Sequence, residues 1–170
     1  MNTRKRCLLA MTFILALWLL PASPADAGTT RTEFTGSETW VTMLEPGKEF
    51  FPDGRYHVRG EVDEFAFEAT DPRLDQATNT VTINCNFRLM PEPVYVAGEM
   101  WGKFMLANAG GYWEGTWTGS RDENGYSYFH FTGHGGGGYT GLHLQMWGER
   151  LTPDPTAPEL YYGYILEPGN

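Results

Sequence analysis

Cysteine is nearly absent: the chain has Cys7 near its start and Cys85 in its middle. Beyond residue 27 only Cys85 is left, so no intramolecular disulfide is available and the fold must hold by packing and hydrogen bonding. Basic residues are also scarce. Residues 28–170 carry nine Lys and Arg against 20 Asp and Glu, a net charge of −11. Binding to a phosphate backbone needs the opposite sign, which excludes nucleic acid as a partner. No window of this part keeps apolar residues at helical spacing for three turns, which argues against a helical bundle. There is no Gly-x-Ser-x-Gly, no zinc-protease motif and no Cys-His dyad, so hydrolysis by an activated nucleophile has no support. The one long uncharged apolar run, residues 7–20, is too short to span a bilayer.

That run has a different meaning. It follows Arg4, Lys5 and Arg6, precedes Pro21 and Pro24, and ends near Ala25-Asp26-Ala27, the small-x-small form that signal peptidase accepts. Residues 1–27 therefore read as a signal peptide cleaved after Ala27, and residues 28–170 as a single domain. Cys7 lies at the beginning of the apolar run, whereas a lipid anchor needs a cysteine at its end. The expected product is soluble, secreted or periplasmic, without stable membrane insertion.

In residues 28–170, period-two alternation recurs between Gly, Pro, Asn and Asp clusters. It predicts strands over 31–44, 56–70, 78–90, 94–106, 111–120, 126–132, 139–150 and 160–166. Eight strands with mostly short connections give an all-β antiparallel fold, an eight-stranded up-and-down barrel with a β-sandwich as the alternative. The apolar phase of the second strand switches from Tyr56, Val58 and Val62 to Phe65, Phe67 and Ala69, which predicts a bulge near Asp63-Glu64. Cys85 alternates in phase with Val81, Ile83, Phe87 and Leu89, as a buried small hydrophobe does.

Two hairpins set the expected registers. A two-residue type I′ turn at Asn124-Gly125 places Trp117 opposite Thr132 and Gly119 opposite His130. A tight turn at Gly136-Gly137 places Phe129 opposite Leu144, Phe131 opposite Leu142, His130 opposite His143 and Tyr128 opposite Gln145. One face then carries Phe129, Phe131, Leu142, Leu144 and Met146. The other carries Trp113, Trp117, Tyr128, His130, His143, Gln145 and Trp147, the candidate lining of a ligand cavity.

Four segments, DPRL at 71–74, GGYWEGTWTG at 110–119, GHGGGGYTGL at 133–142 and YYGYILEPG at 161–169, resemble a group of uncharacterised exported bacterial β proteins. The GxGxYxGL-like turn and strand are also similar to those of the allene oxide cyclase and dirigent class of eight-stranded barrels. That resemblance implies an interior that binds apolar small molecules and an oligomeric assembly. It carries no catalytic residue over to this chain.

Histidines 130, 134 and 143 lie close in sequence, and a cross-strand pair of them suits zinc or copper. A third ligand is missing from the segment, so hydrogen-bonded strand histidines are the reading retained, and neither metal nor cofactor is expected. Glu61, Asp63, Glu64 and Glu68 near the bulge, and Glu99 and Glu114 beside Trp101 and Trp113, are candidates for proton transfer if buried and for solvated strand faces otherwise. The glycine run at 135–138 has no helix after it to bind phosphate and reads as a flexible hairpin turn. Trp40, Trp101, Trp113, Trp117 and Trp147 stand beside all nine tyrosines, a content that suits core packing, sugar stacking or an apolar pocket. The leading expectation is a non-catalytic barrel that holds a small apolar or aromatic molecule inside. The alternatives are a cyclase- or isomerase-like enzyme using the same cavity, and a surface or assembly protein whose exterior forms a homo-oligomer interface.

Overall fold

Alternation of inward apolar and outward polar side chains resolves into nine strands in a computed structural model that describes residues 28–89, 96–154 and 156–169. The segment 1–27, expected to be a signal peptide, lies outside the described residues. So do position 90, where the third expected strand was to end, and positions 94–95, where the fourth was to begin. The strands are β1 (Thr30–Glu45), β2 (Lys48–Phe50), β3 (Arg55–Ala69), β4 (Ala77–Leu89), β5 (Val96–Asn108), β6 (Gly111–Arg121), β7 (Ser127–Gly137), β8 (His143–Arg150) and β9 (Glu159–Glu167). Each pairs antiparallel with its neighbour in sequence from β2 through β9, and β1 pairs with both β9 and β3. The sheet is therefore a closed eight-stranded antiparallel barrel with the short β2 as an extra strand. Closure excludes the sandwich, because a sandwich keeps open edges.

β1 makes the closure by changing partners along its length. Its first half, to Glu38, runs beside β9, and its second half, from Gly36, runs beside β3. Val41 and Leu44 are bulged out of the β1–β3 ladder. Such bulges bend a strand sharply enough to turn a barrel corner. The bulge expected near Asp63-Glu64 lies earlier in β3, where Arg59 and Gly60 together face Asn84. Gly60 takes φ 71° there, a conformation open to glycine and costly for other residues. Downstream of it Glu61, Asp63, Phe65 and Phe67 share the inward face with Val58, and Val62 turns outward.

Two expected registers are corrected. β6 and β7 pair with Trp117 opposite Phe131 and His130 opposite Thr118, one residue away from the type I′ arrangement. The connection is a turn closed by Gly125 N–H on the Asp122 carbonyl at 3.1 Å, with Gly125 at φ 82°. This is a type I turn followed by a glycine bulge, and it uses Asn-Gly one position later than type I′ does. β7 and β8 pair four residues away from expectation, with His130 opposite Trp147, Phe131 opposite Met146 and His134 opposite His143. Of the glycine run, Gly138 alone lies in the turn. Gly135, Gly136 and Gly137 continue β7 beside Trp113, Tyr112 and Gly111, and a Cβ at Gly136 would lie 2.2 Å from the Tyr112 ring. A Cβ at Gly135 would collide with the Tyr139 backbone carbonyl, so close backbone approach, not flexibility, requires glycine in this run.

The interior is packed with aromatics. Phe131 meets Phe104 edge-on at 5.2 Å, Trp117 in a stack at 5.7 Å and Tyr161 edge-on at 5.8 Å. Cys85 is buried among them as a free thiol. One end of the barrel is sealed by the 70–76 connection. Asp71 Oδ1 accepts from the Arg73 backbone N–H at 2.9 Å, its carboxylate pairs with the Arg73 guanidinium, and Leu74 is driven inward to full burial. Trp113 donates its indole N–H to the Arg73 carbonyl at 3.0 Å and stacks on Tyr139 at 5.3 Å. The DPRL, GGYW and GGGGY strings of the sequence thus meet in one plug.

A Cβ added at Gly60 would meet only open space, so Gly60→Ala isolates the backbone cost of the bulge. The expected loss is about 1 kcal/mol in urea unfolding. An unchanged midpoint would mean that the bulge relocates freely.

Candidate functional site

Toward the opposite end, inward side chains stop being uniformly apolar, and dense packing stops with them. A cavity of about 370 Å³ remains there, walled by Val81 and Ile83 of β4, Met100 of β5, Trp117 of β6 and Phe129 and Phe131 of β7. Phe65 of β3 and the exposed Trp40 and Met43 of β1 complete the apolar surface, with Thr156 at the rim. Trp117 is fixed in the wall because its indole N–H donates to the Thr82 carbonyl at 3.1 Å.

Charged groups enter from five strands: Glu38 on β1, Glu61 and Asp63 on β3, Arg121 on β6, Arg150 on β8 and Glu159 on β9. They form two groups. In the first, Arg150 lies 3.2 Å from Glu159, and the Tyr161 hydroxyl lies 2.8 Å from an oxygen of Glu159 and 2.8 Å from an oxygen of Glu38. A hydroxyl has one proton, so one of these contacts must use a proton on a carboxyl group. Glu159 has the arginine, and the proton therefore belongs on Glu38. Burial pushes Glu38 up to about 8, with the nearby Glu159 charge adding to the rise and the hydrogen bond from Asn79 opposing it. Tyr161 hence donates to Glu159 and accepts from neutral Glu38, while Asn79 Nδ2 donates to the other Glu38 oxygen at 2.6 Å. Burial lowers the Arg121 guanidinium below its ordinary value, with Arg150 as a second cause.

The second group is Glu61 and Asp63, two positions apart on the inward face of β3. Burial raises both, Glu61 to about 7 with Asp63 and Glu49 as further causes. No cation is among the causes of either shift; a hydrogen bond from Trp40 opposes the rise at Asp63, and Oδ1 of Asp63 is buried without a hydrogen-bond partner among the described residues. A carboxylate so placed favours a hydrogen-bond donor brought by a ligand.

The seven residues expected to line a cavity do not share a face. The one-residue slip between β6 and β7 turns Trp113 and Trp117 inward, Trp113 into the sealed plug and Trp117 into the cavity wall. Tyr128, His130, His143, Gln145 and Trp147 point outward. There His130 stacks on Trp147 at 5.0 Å and its Nε2 lies 2.9 Å from Gln145 Oε1. His143 faces His134, not His130, and His134 lies 3.4 Å from Glu114. Among the described residues no three or more His, Cys, Asp or Glu side chains converge on a metal-sized site. Of the carboxylates singled out by sequence, Glu61 and Asp63 reach the cavity, whereas Glu64, Glu68, Glu99 and Glu114 do not. Glu38, Glu159 and Tyr161 were missed, although a signal existed. Glu38 is in phase with Phe34, and Glu159 and Tyr161 are in phase with Ile165.

Fold and site define an antiparallel barrel of small bore, plugged at one end and hollow with paired carboxyl groups toward the other. Comparison with protein-family models, curated proteins and solved structures gives no match.

The proton on Glu38 predicts how stability varies with pH. The unfolded chain releases it near the ordinary value of 4.5 and the folded chain only near 8. The folded state binds more protons in that window, so stability is full below it and falls as pH rises through it. Glu61 contributes in the same direction up to about 7. Glu38→Gln preserves the hydrogen bonds and removes the proton exchange. Urea unfolding at several pH values between about 5 and 8 should show a shallower decline in the variant than in the native protein. An identical slope would place the proton elsewhere.

Proposed function

We propose that this is an exported, non-catalytic binding protein that holds one small apolar or aromatic molecule inside the barrel. The observation that carries this reading is the unfilled cavity, whose aromatic and aliphatic walls are interrupted by charged groups from five strands. Apolar walls with a limited set of converging polar groups suit a small molecule, and the volume is at the low end of the range for such pockets. It accommodates a compact ring system, not a lipid. Glu61 and Asp63 orient the ligand by accepting hydrogen bonds from its polar end. An apolar interior of this kind is also what the likeness to allene oxide cyclase and dirigent barrels implies, at the level of architecture.

A neutral fluorescent amine such as N-phenyl-1-naphthylamine tests the reading, because its rings match the wall and its N–H suits the carboxylates. Saturable one-to-one binding with enhanced emission is expected. Ile83→Trp fills the cavity from a half-buried position and should reduce that binding at least about tenfold while the protein stays folded. Absence of binding, or binding indifferent to Ile83→Trp, overturns the proposal.

One observation favours a second reading, an isomerase- or cyclase-like enzyme in the same cavity. Neutral Glu38, Tyr161 and Glu159 form a continuous hydrogen-bonded path on the cavity wall, with a carboxylic acid that keeps its proton at neutral pH. If the cavity ligand is converted, Glu38→Gln abolishes turnover and spares binding. Turnover unaffected by that change removes Glu38 as the acid.

A further inference from the structure

The outer face of the barrel carries a ladder of stacked flat groups with one rung missing. His57 stacks on Phe50 at 5.1 Å, the Arg59 guanidinium covers Phe50 at 5.4 Å, and the same guanidinium covers Trp101 at 4.9 Å. Farther round, His130 stacks on Trp147 at 5.0 Å and Trp147 on Tyr162 at 5.9 Å. The strand registers place these two runs in one lateral row: Trp101 is opposite Thr118, Thr118 opposite His130, His130 opposite Trp147, and Trp147 opposite Tyr162. Only the exposed Thr118 lies between Trp101 and His130, and a surface groove runs between these two rings.

The width of the gap follows from the sheet. Two interstrand spacings separate Trp101 from His130, about 9.6 Å, which is close to twice the 5.0 Å stacking distance of His130 on Trp147. The gap therefore fits one ring. Above Asn84, on the other side of Trp101, the chain fills the equivalent gap itself with the Arg59 guanidinium, which lies 5.4 Å from the Phe50 ring and 4.9 Å from the Trp101 ring. Among the described residues no ring or guanidinium covers Thr118 in the same way.

We propose that the gap between Trp101 and His130 is a binding site for one pyranose ring of a neutral glycan. Stacking uses the two faces of a ring and leaves its edges pointing along the strands. There Glu99, Ser120 and Tyr128 line the groove on one side, and the strand registers place Lys103, Thr116 and Thr132 in the next outward row on the other. These side chains both donate and accept hydrogen bonds, as ring hydroxyls require. A guanidinium only donates, and Lys103 opposes it. A bare arene leaves the border groups without partners. The net charge of −11 on residues 28–170 disfavours anionic sugars. The site is on the opposite face of the sheet from the cavity and does not depend on ligand binding inside the barrel.

The test is calorimetric titration of the full chain with neutral β-1,4-linked hexasaccharides of glucose, xylose and N-acetylglucosamine. At least one is expected to bind with a Kd below about 1 mM. Trp101→Ala should weaken it at least about tenfold by removing one face. Thr118→Tyr should abolish it by supplying the missing rung, with the melting temperature unchanged or raised and N-phenyl-1-naphthylamine binding unaffected. The proposal is overturned if none of the three sugars binds or if Thr118→Tyr binds as the native protein does. It is equally overturned if N-acetylargininamide or indole, but no sugar, binds in a manner sensitive to Thr118→Tyr.

Discussion

A buried hydrogen-bonded cluster around Glu38 ties the seam at which the barrel closes. β1 must leave β9 and take up β3, and the residues that pair with both, from Gly36 to Glu38, are where it does so. Glu38 points inward at this crossing and is almost wholly buried. An ionised carboxylate there would face Glu159 in a medium of low dielectric, which is costly. Keeping its proton, Glu38 becomes a neutral donor to Tyr161, and through Tyr161 and Asn79 it joins β1 to β9 and β4. Tyr161 passes the contact on to Glu159, which is paired with Arg150 of β8. Four strands are thus tied at the seam, where the sheet neighbours of β1 are not its neighbours in sequence.

The two ends of the bore differ because their inward residues differ. Toward the sealed end the inward positions are Phe67, Leu106, Trp113, Leu144 and Ile165, which interdigitate to full burial under Leu74. Toward the other end the same strands turn Glu61, Asp63, Arg121, Arg150 and Glu159 inward. Charged groups keep space and partners around them instead of packing to crystal density. The cavity lies at this change of chemistry. Aromatic residues wall it on the side of β6 and β7, and carboxyl groups line it on the side of β1, β3 and β9.

Period-two alternation made the strand content, the antiparallel order and the barrel legible, because each strand has one face inside and one outside. Register was less legible, and its errors were unequal. Between β7 and β8 the expected pairing was four residues off. An even shift preserves faces, so Phe129, Phe131, Leu144 and Met146 stayed together while the His130–His143 pair dissolved. Between β6 and β7 the shift was a single residue, and it reversed the faces of Trp113 and Trp117. The cause is local: Asn-Gly serves a two-residue type I′ turn and a type I turn with a glycine bulge equally well, and the dipeptide does not choose between them. The long-range contacts of β1 had no local signal. What could have been read there is the phase of Glu38, an acid in step with Phe34 and Gly36, since a charge on the apolar phase of a strand marks either an error or a site.

That single residue of register links the cavity to the gap on the outside. β6 directs Trp113 and Trp117 inward, one to the plug and one to the cavity wall, and outward from 114 to 120 it presents Glu114, Thr116, Thr118 and Ser120. Its neighbours present Trp101 and His130 in the same row. Had β6 paired one residue away, the tryptophans would have faced outward, the ladder would have gained a rung, and the bore would have lost the ring against which Phe131 stacks. The aromatic wall inside and the interrupted row outside are therefore two consequences of one turn. The interior gains an aromatic wall from the same strand that leaves the exterior without one.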